Sequence, residues 1–271
     1  MYITALDLGS SQIKALVAEI GKHGKLHLID VFSFPSFGVR KGEIVDSQEA
    51  TKAISKVFCE IRNISKGALK NIYVNLGGKN VQLQTSRGIV AVSRADSEIY
   101  SDDVDRVIKA SQAVSLSANR KIIHTIISEF IVDGVDQIKN PVGMNGARLE
   151  VNSLIVDAFT PTLNDLLKSV EISGGKAIEI VYSPVAAAGA VLNRTHKELG
   201  SVLIDIGFGT TSMAVFEEDK LIAAKVFPLG SSNITNDLAI ALKSSIDAAE
   251  RVKIAYGHAF ARDVSLKEKI D

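Results

Sequence analysis

Two aspartates in this 271-residue chain each lie near the end of an apolar strand, two residues before a glycine. The first stretch, ALDLGSSQIKALVAEI, contains Asp7 and Gly9, and the second, LIDIGFGTTSMAVFEE, contains Asp205 and Gly207. After each glycine the chain continues as a second apolar strand instead of a helix. A tight turn of small and hydroxyl-bearing residues exposes backbone N–H groups on one side, and such a turn can bind an anion such as phosphate.

The two stretches align without a gap, so that Asp7 matches Asp205 and Gly9 matches Gly207. A third strand follows each pair, KLHLIDV in the first copy and KLIAAKVF in the second. One D-x-G hairpin alone is a common turn whose aspartate caps backbone N–H groups. Two aligned copies favour an internal duplication, with two similar sheets related by a pseudo-twofold axis.

Two such turns that face each other predict a clamp for a polyphosphate. Asp7 and Asp205, one from each sheet, would hold Mg²⁺ mostly through its water molecules, which is the coordination that Mg²⁺ prefers. Lys14, in the strand after the first turn, could reach a terminal phosphate oxygen. The sequence therefore predicts a joint site for a polyphosphate and a magnesium ion.

Two further candidates lie outside the turns. Glu250 and Lys253, three residues apart on one predicted helix, are either a solvated ion pair or a pair that contacts a ribose at the mouth of the cleft. His124 lies in the strand-like run KIIHTIISEF without a companion at metal-ligand spacing. This setting predicts a partly buried structural histidine.

Alternating strands and helices must position these residues. Residues 2–6, 13–20 and 26–34 are predicted strands, DSQEATKAISKVFCEIRNI an amphipathic helix capped by Asp46, and NIYVNLGG a strand. From about Gln82 to Val156, short strands surround one helix that begins at Ser101, which predicts a small inserted α+β unit. Helices and strands then alternate again up to SIDAAERVKIAYG, and RDVSLKEKID is a charged helix tip or frayed end.

Composition bounds the class of protein. Lys plus Arg and Asp plus Glu balance at 31 each, and the basic residues are scattered, so no nucleic-acid partner is expected. The hydrophobic fraction of 46% is typical of a globular chain, and no apolar run approaches the ~18 residues that a membrane span needs. The single cysteine, Cys59, excludes an internal disulfide and is predicted to be a buried, inert thiol in a cytosolic protein.

The two hairpins resemble the phosphate-binding motifs of the actin, Hsp70 and sugar-kinase superfamily. FGVRKGEIVDSQEATKAI, NIYVNLGGKNVQLQTSRGIVAVS and above all HTIISEFIVDGVDQIKNPVGMNGARLEV are similar to the FtsA family of bacterial cell-division proteins. The resemblance extends from residue 1 to about residue 260. The NPVGM stretch favours this family over the related pilus-assembly actin-like ATPases, which share the insertion.

The resemblance implies an α/β fold of the actin-like (ribonuclease H-like) type, with duplicated mixed-sheet domains and an inserted small α+β subdomain. The implied parts are subdomain 1A over residues 1–81, the inserted subdomain 1C over 82–160, subdomain 2A over 161–250 and the start of an incomplete subdomain 2B over 251–271. The implied cofactors are ATP and Mg²⁺.

The resemblance also assigns residues to the nucleotide site. The first phosphate loop comprises Asp7, Gly9, Ser10, Ser11 and Gln12. The second comprises Asp205, Gly207, Gly209, Thr210 and Thr211. Lys14 resembles the lysine of the actin loop, Gly230 lies where the family usually has two glycines, and Glu250 and Lys253 match the nucleotide-contacting helix.

The function that the resemblance implies is an ATP-binding protein, at most a weak ATPase, that forms filaments on the cytoplasmic face of the cell membrane at the division site. It would bind the C-terminal tail of FtsZ and link the Z ring to the membrane and to later division proteins of the septum. Ser183 stands where relatives place the Glu or Gln that orders the attacking water, so hydrolysis should be slow. Relatives continue past Asp271 to a second adenosine motif and an amphipathic membrane helix, so membrane contact is expected only through a helix absent from this chain.

Two other classes of function stay open. The hairpins could be relics in a nucleotide-independent scaffold whose 82–156 unit docks a partner or a neighbouring subunit. A small-molecule kinase of the same superfamily would need a catalytic carboxylate, and no Asp or Glu lies in a turn that could act as a base toward a sugar hydroxyl.

Overall fold

The computed structural model describes residues 1–260, 262 and 264, and its centre is a mixed sheet of five strands. In spatial order these are β11 (Ala177–Tyr182), β6 (Ile72–Leu76), β1 (Tyr2–Leu8), β2 (Gln12–Ile20) and β3 (Leu26–Pro35). β1, β2 and β3 pair antiparallel, whereas β6 runs parallel to both β1 and β11. The three predicted N-terminal strands are confirmed, each with one or two additional residues.

A short hairpin of β4 (Val39–Arg40) and β5 (Glu43–Ile44) leads into helix α1 (Ser47–Ile64). The Asp46 carboxylate accepts hydrogen bonds from the N–H groups of the second and third residues of α1, as predicted for its N-cap. The helix packs its apolar face against the first sheet. The buried residues of this face are Ala50, Ala53, Ile54, Val57, Phe58 and Ile61.

The prediction that Cys59 is buried is wrong. Cys59 lies in α1, but its side chain is exposed. The residues one helical turn away from it are polar: Ser55, Lys56, Arg62 and Asn63. Cys59 therefore belongs to the solvent face of the helix and not to the apolar stripe beside it.

The inserted unit is an antiparallel sheet with one helix packed on it. In spatial order its strands are β7 (Val81–Ala91), β10 (Arg148–Phe159), β8 (Arg120–Val132) and β9 (Val135–Ile138). Helix α2 (Ser101–Ser111) lies against β7 and β10. The helix begins at Ser101, as predicted, with Tyr100 as its N-cap, and the buried Asp103 carboxylate accepts the Tyr100 N–H at 3.0 Å.

After the inserted unit the chain returns to the first sheet. Helix α3 (Thr160–Ile172) packs beside α1, and β11 then extends the sheet next to β6. Residues 161–182, grouped by the sequence with subdomain 2A, therefore contribute to the layer of the first sheet. The division of the chain into domains stays a prediction.

A second sheet repeats the first three strands, in the order β12 (Ser201–Ile206), β13 (Thr211–Glu217), β14 (Lys220–Phe227). Helices α4 (Ser183–Val191) and α5 (Arg194–Leu199) precede it, and α6 (Ser231–Leu242) and α7 (Ile246–Tyr256) follow it. The sequence did not predict α5. Apart from residues 262 and 264, the stretch RDVSLKEKID lies outside the described residues.

The strand registers show that the two hairpins are equivalent. Asp7 lies opposite Lys14 across the first turn, and Asp205 lies opposite Ser212 across the second. Each four-residue turn is closed by a hydrogen bond from the N–H of its glycine to the carbonyl of its fourth residue, at 3.1 and 2.8 Å. The predicted duplication is confirmed. None of the helices in the described part of the chain is long and apolar enough to cross a membrane.

His124 connects the inserted unit to the end of β11. Its Nε2 accepts the backbone N–H of the fully buried Tyr182 at 3.0 Å, which requires this ring nitrogen to be unprotonated. Burial lowers the pKa of His124, and the negative charge of Glu179 opposes the shift. The predicted partly buried structural histidine is confirmed.

We expect His124→Ala to lower the free energy of unfolding by roughly 1–3 kcal/mol at pH 8, because the Tyr182 N–H loses its acceptor. The pKa of His124 is lower in the folded than in the unfolded chain. The stabilisation that neutral His124 provides is therefore complete above its ordinary pKa of about 6.5. It is lost as the pH falls through the pKa that His124 has in the folded chain. In urea unfolding, the difference in the free energy of unfolding between the wild type and His124→Ala should become smaller as the pH falls. His258→Ala, at an exposed histidine, is the control. Equal stability at pH 8 would contradict this role.

Candidate functional site

The two turns face each other across one cleft of about 230 Å³. Residues 9–12 of the first turn and 207–210 of the second all line it, and so do Asp7, Asp205 and Lys14. Two segments that are far apart in the sequence, and that belong to different sheets, therefore form a single site. The structure brings together most of the predicted residues.

Free backbone donors surround this cleft. The N–H groups of Ser10, Ser11, Phe208 and Gly209 donate to no other group in the part of the chain that the structure describes. All four residues line the cleft. Unpaired N–H groups on two opposed turns are suited to the oxygens of a phosphate chain.

The two loops are in contact at one side of the cleft. A Cβ atom on Gly209 would lie 2.7 Å from the Ser10 Oγ and 3.0 Å from the Ser10 Cβ. No side chain fits at this position without a shift of the first loop. Glycine is therefore needed here for the close approach of the two loops.

Asn75, at the end of β6, holds Asp7 in place. Its Oδ1 accepts the Leu8 N–H at 2.8 Å, and its Nδ2 donates to the Asp7 Oδ1 at 2.6 Å and to the Ser183 Oγ at 3.2 Å. The amide thus connects the first loop to the start of α4. The sequence analysis did not identify Asn75, although a polar residue at the end of the apolar strand IYVNL could have indicated it.

The electrostatics around Asp7 favour a bound cation. Its side chain reaches water through the open cleft, but the protein atoms on its other sides raise its pKa by desolvation. The Lys14 ammonium opposes this shift, and the negative charge of Asp205 adds to it. A divalent cation between the carboxylates would relieve their repulsion. Because no group of three or more His, Cys, Asp or Glu that could hold a metal occurs in the described residues, its other ligands would be phosphate and water.

Glu250 and Lys253 lie behind the second loop and not in the lining of the cleft. They form a 2.7 Å ion pair, with 30% and 16% of their side chains exposed, so the pair is more buried than a solvated surface couple. The Thr235 hydroxyl donates to Glu250, and the Lys253 ammonium donates to Thr235 at 2.9 Å. The ammonium also lies 5.8 Å from the ring centre of Phe208, which lines the cleft. The predicted ribose contact stays a prediction.

Thr211 and Gly230 also support the second loop from outside the cleft lining. The Thr211 hydroxyl donates to the Leu229 carbonyl at 2.8 Å. Gly230 is the N-cap of α6, and the next N–H, of Ser231, donates to the Gly207 carbonyl at 2.9 Å. The start of α6 is therefore fastened to the turn.

A larger cavity, of about 810 Å³, lies between the inserted unit and the second sheet. Two ion pairs connect its walls, Lys220 with Glu129 at 2.8 Å and Lys139 with Asp219 at 3.4 Å. The charges of these four side chains are therefore balanced within the lining itself. The polyphosphate site predicted from the sequence corresponds to the smaller cleft, which both turns line.

Comparison with known proteins identifies both the inserted unit and the second sheet. The family model described as "SHS2 domain inserted in FTSA" matches residues 78–157, and the one described as "Cell division protein FtsA" matches residues 202–271. The cell division proteins FtsA of Bacillus subtilis and Pseudomonas aeruginosa are 39% and 32% identical over 99% of the chain. The chain belongs to the FtsA family. It spans 60% and 64% of the lengths of these two relatives.

Solved structures similar to this FtsA-family chain support the fold. The PilM-PilN type IV pilus biogenesis complex matches with a TM-score of 0.69 and 17% identity, over 94% of this chain and 70% of that chain. MreB5 of Spiroplasma citri bound to ADP matches with a TM-score of 0.50 and 15% identity, over 99% and 65%. These identities show the fold alone. The predicted α/β, actin-like fold with its inserted α+β subdomain is confirmed.

We expect Asp7→Asn to raise the Tm of the ligand-free chain at pH 7. The asparagine side chain keeps an oxygen that can accept the hydrogen bond from the Asn75 amide. The substitution removes the carboxylate, whose charged form is disfavoured by burial. Because the folded pKa of Asp7 lies above its ordinary value, ionisation destabilises the fold at neutral pH. This effect disappears below the ordinary pKa of about 3.9.

Thermal unfolding at a series of pH values tests this expectation. The difference in Tm between Asp7→Asn and the wild type should be largest at neutral pH and should vanish in acid. The matched control is Asp30→Asn in β3, an exposed aspartate in a strand that does not line the cleft. A variant no more stable than the wild type at pH 7 would refute the electrostatic account of Asp7.

Proposed function

We propose that this chain binds ATP with Mg²⁺ and acts in cell division as an actin-like, filament-forming adaptor. The observation that carries the proposal is the pair of equivalent turns that line one cleft, each with an aspartate at the same register position. Both turns contribute free N–H groups to the phosphates. Asp7 and Asp205 hold the metal ion through its waters.

The cleft supports binding better than rapid hydrolysis. Its lining includes two carboxylates, Asp7 and Asp205, and both belong to the metal position. Ser183 lines the cleft, and its hydroxyl oxygen accepts a hydrogen bond from the Asn75 side-chain amide. A serine hydroxyl is a poor general base compared with a carboxylate. We therefore infer a slow ATPase in which nucleotide binding mainly stabilises one conformation.

Membership of the FtsA family supports a finer cellular role, which we include in the proposal. In this proposal the protein self-associates into filaments, binds the C-terminal tail of FtsZ and links the Z ring to the membrane and to later division proteins. It acts on the cytoplasmic face of the membrane at the division site. The relatives that support this role are cell division proteins.

Replacing Asp205 with alanine should weaken MgATP binding by about tenfold to a hundredfold, because a charged partner is worth roughly 1.5–3 kcal/mol. The measurement is a titration with a fluorescent ATP analogue and Mg²⁺. Asp30→Ala is the control with the same change of charge, on a strand that does not line the cleft. Unchanged affinity in Asp205→Ala would refute the phosphate-clamp assignment.

Sedimentation of the same proteins separates the adaptor from a nucleotide-independent scaffold. We expect the wild type to assemble only with MgATP. The Asp205→Ala variant should need a higher MgATP concentration to assemble. Equal assembly with and without nucleotide would favour the scaffold, in which the hairpins have no ligand.

A further inference from the structure

The turn between β4 and β5 contacts both phosphate loops, although no residue of this turn was predicted to belong to the site. Lys41 and Gly42 form this turn between the paired residues Arg40 and Glu43. Their φ angles of 52° and 73° are both left-handed, as in the type I′ turn that closes tight hairpins. The hairpin therefore presents Lys41 from a short, fixed turn.

The first contact orients a hydroxyl group. The Gly42 N–H donates to the Ser10 Oγ at 3.1 Å, and both residues line the cleft. A serine hydroxyl has one proton to donate, and that proton stays available when the oxygen accepts a bond. The Gly42 N–H therefore leaves Ser10 as a donor to a ligand.

Close packing fixes the position of this turn. A Cβ atom on Gly42 would lie 2.6 Å from the carbonyl oxygen of Gly77, the residue that follows β6. On the other side, a Cβ atom on Gly209 would lie 3.1 Å from the Lys41 backbone nitrogen. Lys41 thus lies where the two phosphate loops meet.

The charge balance of the cleft leaves a role for a further cation. Its lining contains the carboxylates Asp7 and Asp205 and one ammonium, that of Lys14, whose charge acts on Asp7. The Lys41 side chain is exposed and has no hydrogen bond or ion pair with any other residue that the structure describes. A polyphosphate brings several negative charges, and charge-assisted contacts to a free ammonium are among the stronger ones.

We propose that the Lys41–Gly42 turn is a third element of the phosphate site, in which Lys41 binds the phosphates and Gly42 orients the Ser10 hydroxyl toward them. This inference rests on the proposed nucleotide-binding function and adds a cationic residue that lies outside both phosphate loops. Recognition is of the phosphate chain, so it applies equally to MgATP and to magnesium tripolyphosphate.

The test measures the affinity of the full chain for fluorescent MgATP and its displacement by inorganic tripolyphosphate with Mg²⁺. We expect Lys41→Ala to weaken both by about tenfold, the effect of one charge-assisted contact. Lys41→Arg should restore most of the affinity. Arg40→Ala is the matched control, since it removes the same charge from the same exposed hairpin one residue away. Alanine and arginine both retain a Cβ at this left-handed position, so the Tm should not change.

The outcomes distinguish a failure of the inference about Lys41 from a failure of the nucleotide-binding function on which it rests. If Lys41→Ala binds both ligands as tightly as the wild type while Asp205→Ala does not, the inference is wrong and the nucleotide-binding function stands. An equal loss in Lys41→Ala and Arg40→Ala also overturns it, because net charge alone then explains the effect. If the wild type binds neither ligand, both the function and the inference are overturned.

Discussion

The close approach of the two turns is the constraint on which the site depends. The loops belong to different sheets, and they touch where Gly209 meets Ser10. Such contact requires the sheets to be fixed relative to each other. A shared apolar cluster, in which Leu154 of the inserted unit meets Ala188 of α4 and Phe216 of β13, holds the second sheet in place. Asn75 completes the connection through hydrogen bonds to both the first loop and the start of α4.

The same geometry places two carboxylates near each other, and this arrangement makes the ligand-free site electrostatically unfavourable. Burial and the neighbouring Asp205 raise the pKa of Asp7, and Lys14 compensates in part. In the function proposed above, a cation placed between the two carboxylates would offset this cost, so lower stability of the ligand-free chain would accompany higher affinity for the ligand. The glycines of the turns also suit an anionic ligand, because residues without side chains leave backbone N–H groups accessible to a phosphate chain.

The sequence predicted what local chemistry determines. Alternating apolar residues indicated the N-terminal strands, Asp46 indicated the start of α1, and the gapless alignment of the hairpins matched the strand registers. Prediction from the sequence failed where contacts between distant segments determine the structure. The exposure of Cys59 depends on which face of α1 packs on the sheet, and the position of β11 depends on its long-range pairing with β6. The polar residue in the apolar strand IYVNL was a local signal for Asn75, but its hydrogen bond to Asp7 depends on the pairing of β6 with β1.

Hydrogen–deuterium exchange of the wild-type chain with and without MgATP shows whether one ligand contacts both turns. If it does, the amides of residues 9–12 and 207–210 become protected together, at the same nucleotide concentration. Protection of one turn without the other would contradict a joint clamp. Protection confined to the larger cavity beside Lys220 and Glu129 would place the ligand elsewhere.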